Sequence, residues 1–135
     1  MTNCTNNTND SGKVIYKELS YKLVGLAYEV YNTLGEGLSE KVYQKAYSLL
    51  LDKEHIPYKK ELYYKLKLRG DTIAERFFDF LIDGKVILEF KVSERAYFTA
   101  YRQLLEYLKI TKYKLGLIIR FTKEGVKVKR IPNIY

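Results

Sequence analysis

The stretch FFDFLIDGKVILEFKV, residues 77–92, constrains the fold more than any other part of the chain. It reads as two apolar strands joined near Asp83-Gly84, because aspartate and glycine tolerate the left-handed backbone of a tight turn. Phe78, Phe80 and Ile82 on the first strand, and Val86, Leu88, Phe90 and Val92 on the second, form uninterrupted apolar sets, all at even positions. Side chains alternate between the faces of a strand, and opposed residues of a hairpin have positions of constant sum. Even can therefore face even only across a loop with an odd number of residues. That parity excludes a two-residue Asp-Gly turn and predicts the three-residue loop Ile82-Asp83-Gly84, with Gly84 left-handed in a bulge. Leu81 then pairs with Lys85, Asp79 with Ile87 and Phe77 with Glu89. Asp79, Glu89 and Lys91 fall together on the face opposite the apolar set.

The flanking segments supply the layers such a hairpin needs. From Lys17 to Leu34, Leu19, Leu23, Leu26, Val30 and Leu34 recur at helical spacing, and Gly35 provides the left-handed residue that commonly follows a helix end. A second helix is predicted from about Ser39 to Lys53, capped by Ser39 and burying Val42, Ala46, Leu49 and Leu50, with Pro57 beyond its end. Leu62, Tyr64, Leu66 and Leu68 alternate with polar neighbours as a half-buried strand, turned by Arg69-Gly70-Asp71 into a strand from Ile73 to Ile82. The hairpin's second arm runs from Lys85 to Val92. A third helix, Ala96–Ile110, packs Tyr97, Tyr101, Leu104 and Leu108, and two strands follow, Leu115–Phe121 and Val126–Ile131. The order ααβββαββ implies an α/β fold with a mixed sheet flanked by helices.

At 135 residues with 47% hydrophobic content, the chain suits one domain, expected over residues 13–135. The leading MTNCTNNTNDSG is too polar to offset its own ordering entropy, so residues 1–12 are expected to be a disordered tail. Cys4 is the single cysteine, which excludes an intrachain disulfide and a cysteine-based zinc site and fits a reducing cytoplasm. With neither a signal-peptide pattern nor a run of eighteen apolar residues, a cytoplasmic protein without membrane attachment is expected, and the Asn3 and Asn6 sequons read as accidents of the tail. The formal charge is +8, and eight basic residues lie between Lys109 and Arg130 against Glu124 alone. A field of that sign draws a phosphate backbone and makes binding salt-dependent.

The chemistry-bearing pattern is Asp79, nine intervening residues, then Glu89-Phe90-Lys91. Two carboxylates on adjacent strands can hold a hard divalent cation, and a lysine two residues along the strand points to the same side. That set suits phosphodiester hydrolysis: Mg²⁺ offsets phosphate charge and acidifies a water, while Lys91 positions the water or stabilises the transition state. The charges interrupt an apolar neighbourhood, where a charged group needs a partner or a metal.

GEGLSEKVYQKAY contains Gly37, Glu40 and Tyr43, FFDFLIDGKVILEFK follows, and RQLLEYLKITKYKLGLIIRF carries Gln103. In this order the three segments, spanning about residues 17–131, resemble the GxxExxY group of the PD-(D/E)xK nuclease-like superfamily. The resemblance implies a restriction-endonuclease-like core with Asp79 and Glu89 as metal ligands and Lys91 as the catalytic lysine. It also implies Glu40 as a further acid near the metal and Gln103 as a polar contact completing the site. Mg²⁺ is the implied cofactor, with Mn²⁺ as a substitute. One departure is that Phe78, not proline, precedes Asp79. The leading expectation is a Mg²⁺-dependent nuclease, with DNA ahead of RNA as substrate, acting as a homodimer that presents two sites to a duplex. The alternative is a non-catalytic nucleic-acid-binding or regulatory module retaining the fold. Tyr43 and Tyr47 share a helical face with Glu40 and are expected to pack, and His55 is expected to be structural.

Overall fold

The computed structural model describes residues 14–135. The expected tail, Cys4 and both sequons lie outside the described residues. The elements are α1 (Lys17–Leu34), α2 (Glu40–Lys53), β1 (Tyr58–Leu68), β2 (Asp71–Ile82), β3 (Val86–Lys91), α3 (Tyr97–Thr111), β4 (Leu115–Thr122) and β5 (Gly125–Pro132). This is the order ααβββαββ, an α/β fold. The strands form one sheet in the order β1-β2-β3-β4-β5. Only β3 and β4 are parallel, because α3 carries the chain back across the sheet between them. The five-stranded mixed sheet flanked by helices is consistent with a restriction-endonuclease-like core.

Helices cover both faces. On one, α1 and α2 bury Leu23, Ala27, Tyr47 and Leu51 against Phe80, Leu88, Phe90, Leu117 and Ile119. On the other, α3 buries Leu104, Tyr107 and Leu108 against Phe78, Ile87 and Ile118. Gly116 permits the close approach of α3: a Cβ there would stand 2.7 Å from Leu104 Cδ2. Aromatic rings fill the first layer, with Tyr43 stacked on Phe121 at 4.1 Å and Tyr47 edge-on to Phe90 at 4.9 Å.

Three packing expectations are corrected. The β2–β3 ladder pairs Leu81 with Ile87 and Ile82 with Val86 instead of Leu81 with Lys85. Asp83 and Gly84, at φ 53° and 65°, make the left-handed turn closed by Lys85 N–H to Ile82 O at 2.9 Å. Lys85 is then the extra residue, and the three-residue loop is Asp83-Gly84-Lys85. The loop is odd as parity requires, so the faces stand while every pair moves by one residue on each strand.

The even set also divides. Phe80, Ile82, Val86, Leu88 and Phe90 share the α1/α2 layer, but Phe78 packs under α3, 4.8 Å from Tyr107, and Val92 is largely exposed. The β1–β2 register skips the Glu61/Asp79 pair, and Glu61 stands at φ 55°. Alternation breaks there, and the residues on either side of Asp79 turn to opposite layers.

In α2 the buried stripe is Tyr43, Tyr47, Ser48 and Leu51, while Val42 and Leu49 are exposed. The stripe is rotated by about one residue because the tyrosine hydroxyls find partners inside: Tyr47 donates to Leu23 O at 2.8 Å and Tyr43 to Gly35 O at 2.7 Å. Within the basic segment one cation turns inward. Arg130 is buried, donating to Ser20 Oγ at 2.8 Å and to Ile15 O.

Candidate active site

The site lies where β2 and β3 stop pairing through their backbones. Their ladder runs from Ile82/Val86 to Phe80/Leu88, and beyond it side chains take over. Asp79 Oδ2 accepts the Phe90 N–H at 2.7 Å, and Glu89 Oε1 accepts the Asp79 N–H at 3.0 Å. Each acid thus binds the other's strand. A carboxylate that takes over an orphaned buried amide satisfies a donor that would otherwise cost about 1–3 kcal/mol. The corrected register makes this arrangement possible, since it sets Asp79 across from Glu89 instead of Ile87.

Lys91 Nζ stands 3.4 Å from Glu89 Oε2, with the two side chains 19% and 12% exposed. These three groups share one site, as the parity of the hairpin requires. Burial raises the pKa of Glu89 to about 8, reinforced by the Asp79 charge and opposed by Lys91 and the Asp79 N–H. Burial also raises Asp79, against the Phe90 N–H and Lys91, which favour its charged form. The cost of crowding two acids in a poorly solvated place is what moves both.

Glu40 comes from the opposite layer. Ser39 accepts the Val42 N–H and caps α2 at 3.3 Å, which leaves the Glu40 carboxylate free to reach across and accept the Val92 N–H at 3.2 Å. Its charge adds to the upward pressure on Asp79. Gly37 at φ 91° turns the chain into α2, and Tyr43 ties that loop by donating to Gly35 O while accepting the Leu38 N–H at 3.3 Å. Gly37, Glu40 and Tyr43 therefore act as one device that aims a carboxylate at the end of β3.

Gln103 lines a cleft of about 300 Å³ with Arg76, Thr99, Arg102 and Glu106, a wall that does not include Asp79, Glu89 or Lys91. His55, at φ 57°, follows the end of α2 and takes no part in the site.

A model of the PD-(D/E)XK nuclease superfamily matches residues 17–131. The chain belongs to this superfamily. Among curated proteins none matches it significantly. The crystal structure of SSO0001 resembles it with a TM-score of 0.53 at 18% identity, over 87% of this chain and 57% of that one. The chain thus spans little more than half of that protein's length, and the likeness is one of fold.

The carboxylate oxygens of Asp79 and Glu89 are donors of the kind a hard divalent cation takes. Among the described residues no three His, Cys, Asp or Glu side chains stand close enough to hold a metal together, so the protein offers the Asp79–Glu89 pair. Mg²⁺ is commonly held by one or two carboxylates, with water and phosphate filling the remaining positions.

Sequence reasoning counted Arg120 only as charge. It pairs in register with Lys91 across the parallel β3–β4 ladder, its side chain 16% exposed, 3.4 Å from Glu94 and with its guanidinium 5.3 Å from the Tyr97 ring centre. Its buried Nε has no partner. The signal was present in LGLIIRF, where one arginine interrupts a buried strand. No helix among the described residues is long and apolar enough to cross a membrane.

Proposed function

We propose that this chain is a metal-dependent nuclease of the GxxExxY group that hydrolyses nucleic-acid phosphodiester bonds. The observation that carries this reading is the Asp79–Glu89 pair, each acid bonded to the other's strand, with Lys91 alongside. A protein that only binds nucleic acid needs cations on its surface, and clustered carboxylates would repel the phosphates.

Asp79 and Glu89 would hold Mg²⁺ or, in its place, Mn²⁺. Bound there, the cation supplies positive charge against the phosphate and lowers the pKa of water. Lys91, fixed by Glu89, orients the attacking water and offsets charge that builds on the phosphate as the new P–O bond forms and the ester P–O bond breaks. Glu40 aligns the end of β3 through the Val92 N–H and adds negative charge to the cation's side of the site. Arg120, beside Lys91, provides a second cation for the phosphate. Gln103, on the neighbouring cleft, contacts substrate beyond the reacting bond.

The proposal extends to DNA ahead of RNA and to a homodimer placing two sites on a duplex. The test titrates Mg²⁺ and Mn²⁺ against single-stranded, duplex and branched DNA and RNA, with wild type, Lys91→Ala, Asp79→Ala and the closer isostere Asp79→Asn. Metal-dependent cleavage lost in all three variants is expected, and light scattering reads the assembly. Metal-independent binding without cleavage by the wild type would assign the chain to the non-catalytic class.

A further inference from the structure

β1 and β2 extend well past the sheet. The β2–β3 ladder takes up only Phe80–Ile82 of β2, so residues 62–78 form a two-stranded ribbon without a third strand. One face of this ribbon is covered. Leu62, Tyr64 and Phe78 pack under α3, with Tyr64 5.1 Å from the Tyr107 ring, and Arg76 pairs with Glu106 at 2.9 Å.

The other face is open. Tyr63 and Phe77 are paired in register on it, their ring centres 4.7 Å apart, and they remain 43% and 61% exposed. Tyr63 is held by its hydroxyl, which donates to Glu75 Oε2 at 2.8 Å, and Lys65 Nζ lies 5.8 Å from its ring centre. Within the ribbon Lys65, Lys67 and Arg69 stand against Asp71 and Glu75, while Arg76 is taken up by Glu106 on the covered face. Phe77 precedes Asp79 by two residues on the same strand.

We propose that the open face of the ribbon receives an unpaired stretch of nucleic acid, with a base stacked on the Tyr63–Phe77 pair and phosphates drawn by Lys65 and Lys67. The inference rests on the nuclease reading and deepens it by naming the form of the substrate, an unpaired strand held by β2 two residues from Asp79. Aromatic side chains in a basic setting bind single strands of any sequence, since every base has a flat face to stack. A nucleic-acid strand is favoured over a second copy of the chain because Lys65 beside the Tyr63 ring attracts phosphate, whereas a second ribbon would set the same lysines against each other.

The test measures fluorescence anisotropy of labelled single-stranded and duplex DNA with the full chain in metal-free buffer, where cleavage does not interfere. Phe77→Ala and Tyr63→Ala are expected to weaken single-strand binding about tenfold each, the loss of one stacked base. Phe98→Ala, which removes an equally exposed ring at the start of α3, should leave it unchanged. A 2-aminopurine base should be quenched by the wild type and not by Phe77→Ala. Phe77→Thr, a good strand former, repeats the measurement should the alanine variant fold poorly. Unchanged affinity in a folded Phe77 variant overturns the proposal. So does a wild-type dimer that Phe77→Ala converts to monomer without loss of affinity, which would give the face to a second copy. Cleavage is read separately in Mg²⁺: ribbon-dependent binding without cleavage sinks the nuclease reading alone, and cleavage indifferent to Phe77 sinks the ribbon alone.

Discussion

Replacing Glu89 by glutamine isolates the cost of ionising a carboxyl group in a buried place. The folded pKa of Glu89 is about 8 against an ordinary value of 4.5, chiefly because burial penalises the charge. Holding a proton one pH unit longer than usual corresponds to about 1.4 kcal/mol, so the difference reaches ~5 kcal/mol as an upper bound shared with Asp79 and Lys91. The sign follows from proton counts. Between pH 4.5 and 8 the unfolded chain has released this proton while the folded chain keeps it, so the stabilising contribution is complete below 4.5 and lost as pH rises through 8. Glutamine still accepts the Asp79 N–H and has no proton to lose. In urea unfolding across this range, with chelator present, the stability of Glu89→Gln relative to wild type should climb by several kcal/mol, with a slope of up to about 1.4 kcal/mol per pH unit. Calorimetry in two buffers should show wild type releasing close to one proton per Mg²⁺ bound at neutral pH, because the cation needs the ionised acid. A difference that stays flat with pH, or a variant less stable than wild type above pH 8, would refute the reasoning.

Other consequences are open to direct measurement. Tyr43→Phe removes the bond to Gly35 O and the acceptor for Leu38 N–H, and should cost about 1 kcal/mol in chemical denaturation while lowering cleavage through a looser Glu40. Gly116→Ala sets a methyl group 2.7 Å from Leu104 Cδ2, so a loss of about 1–3 kcal/mol is expected, visible as a lower Tm. Arg120→Met keeps the bulk while removing a buried Nε that has no partner; stability should hold or rise while cleavage drops at least tenfold, and a parallel loss of both would assign Arg120 to packing.

Much of the architecture was legible because each element carries its own period: leucines at helical spacing in α1, alternation in β1, apolar runs in β3 and β4 interrupted by Glu89 and Arg120. The parity of the hairpin was enough to gather Asp79, Glu89 and Lys91, since it depends only on whether the loop is odd. Register was harder to read. Choosing between Ile82 and Lys85 as the third loop residue required knowing that Asp83 and Gly84 would both take left-handed backbone. Phe78 was misplaced because the break in alternation at Asp79 involves Glu61, across the neighbouring strand, and nothing in the local pattern announces it. Tyr43 and Tyr47 pack as expected, but the α2 stripe was misread because Val42 and Leu49 suit burial equally well by pattern, and only the hydroxyl partners Leu23 O and Gly35 O, in α1 and its following loop, turn the tyrosines inward in their place. The contact of Glu40 with Val92 spans 52 positions; only the family resemblance pointed to that acid. The same resemblance added Gln103, which lines a cleft with Arg76 and Glu106.

The crossed bonds between Asp79 and Glu89 have a mechanical side. These carboxyl groups are clasps as well as proposed ligands: one oxygen of each, Asp79 Oδ2 and Glu89 Oε1, keeps two diverging strands joined, which leaves the other oxygen for a cation. Deleting either acid opens a seam in the sheet, so inactivity in an alanine variant reports on architecture and chemistry at once. Only amide replacements, which keep an oxygen for the opposing N–H, can separate the two.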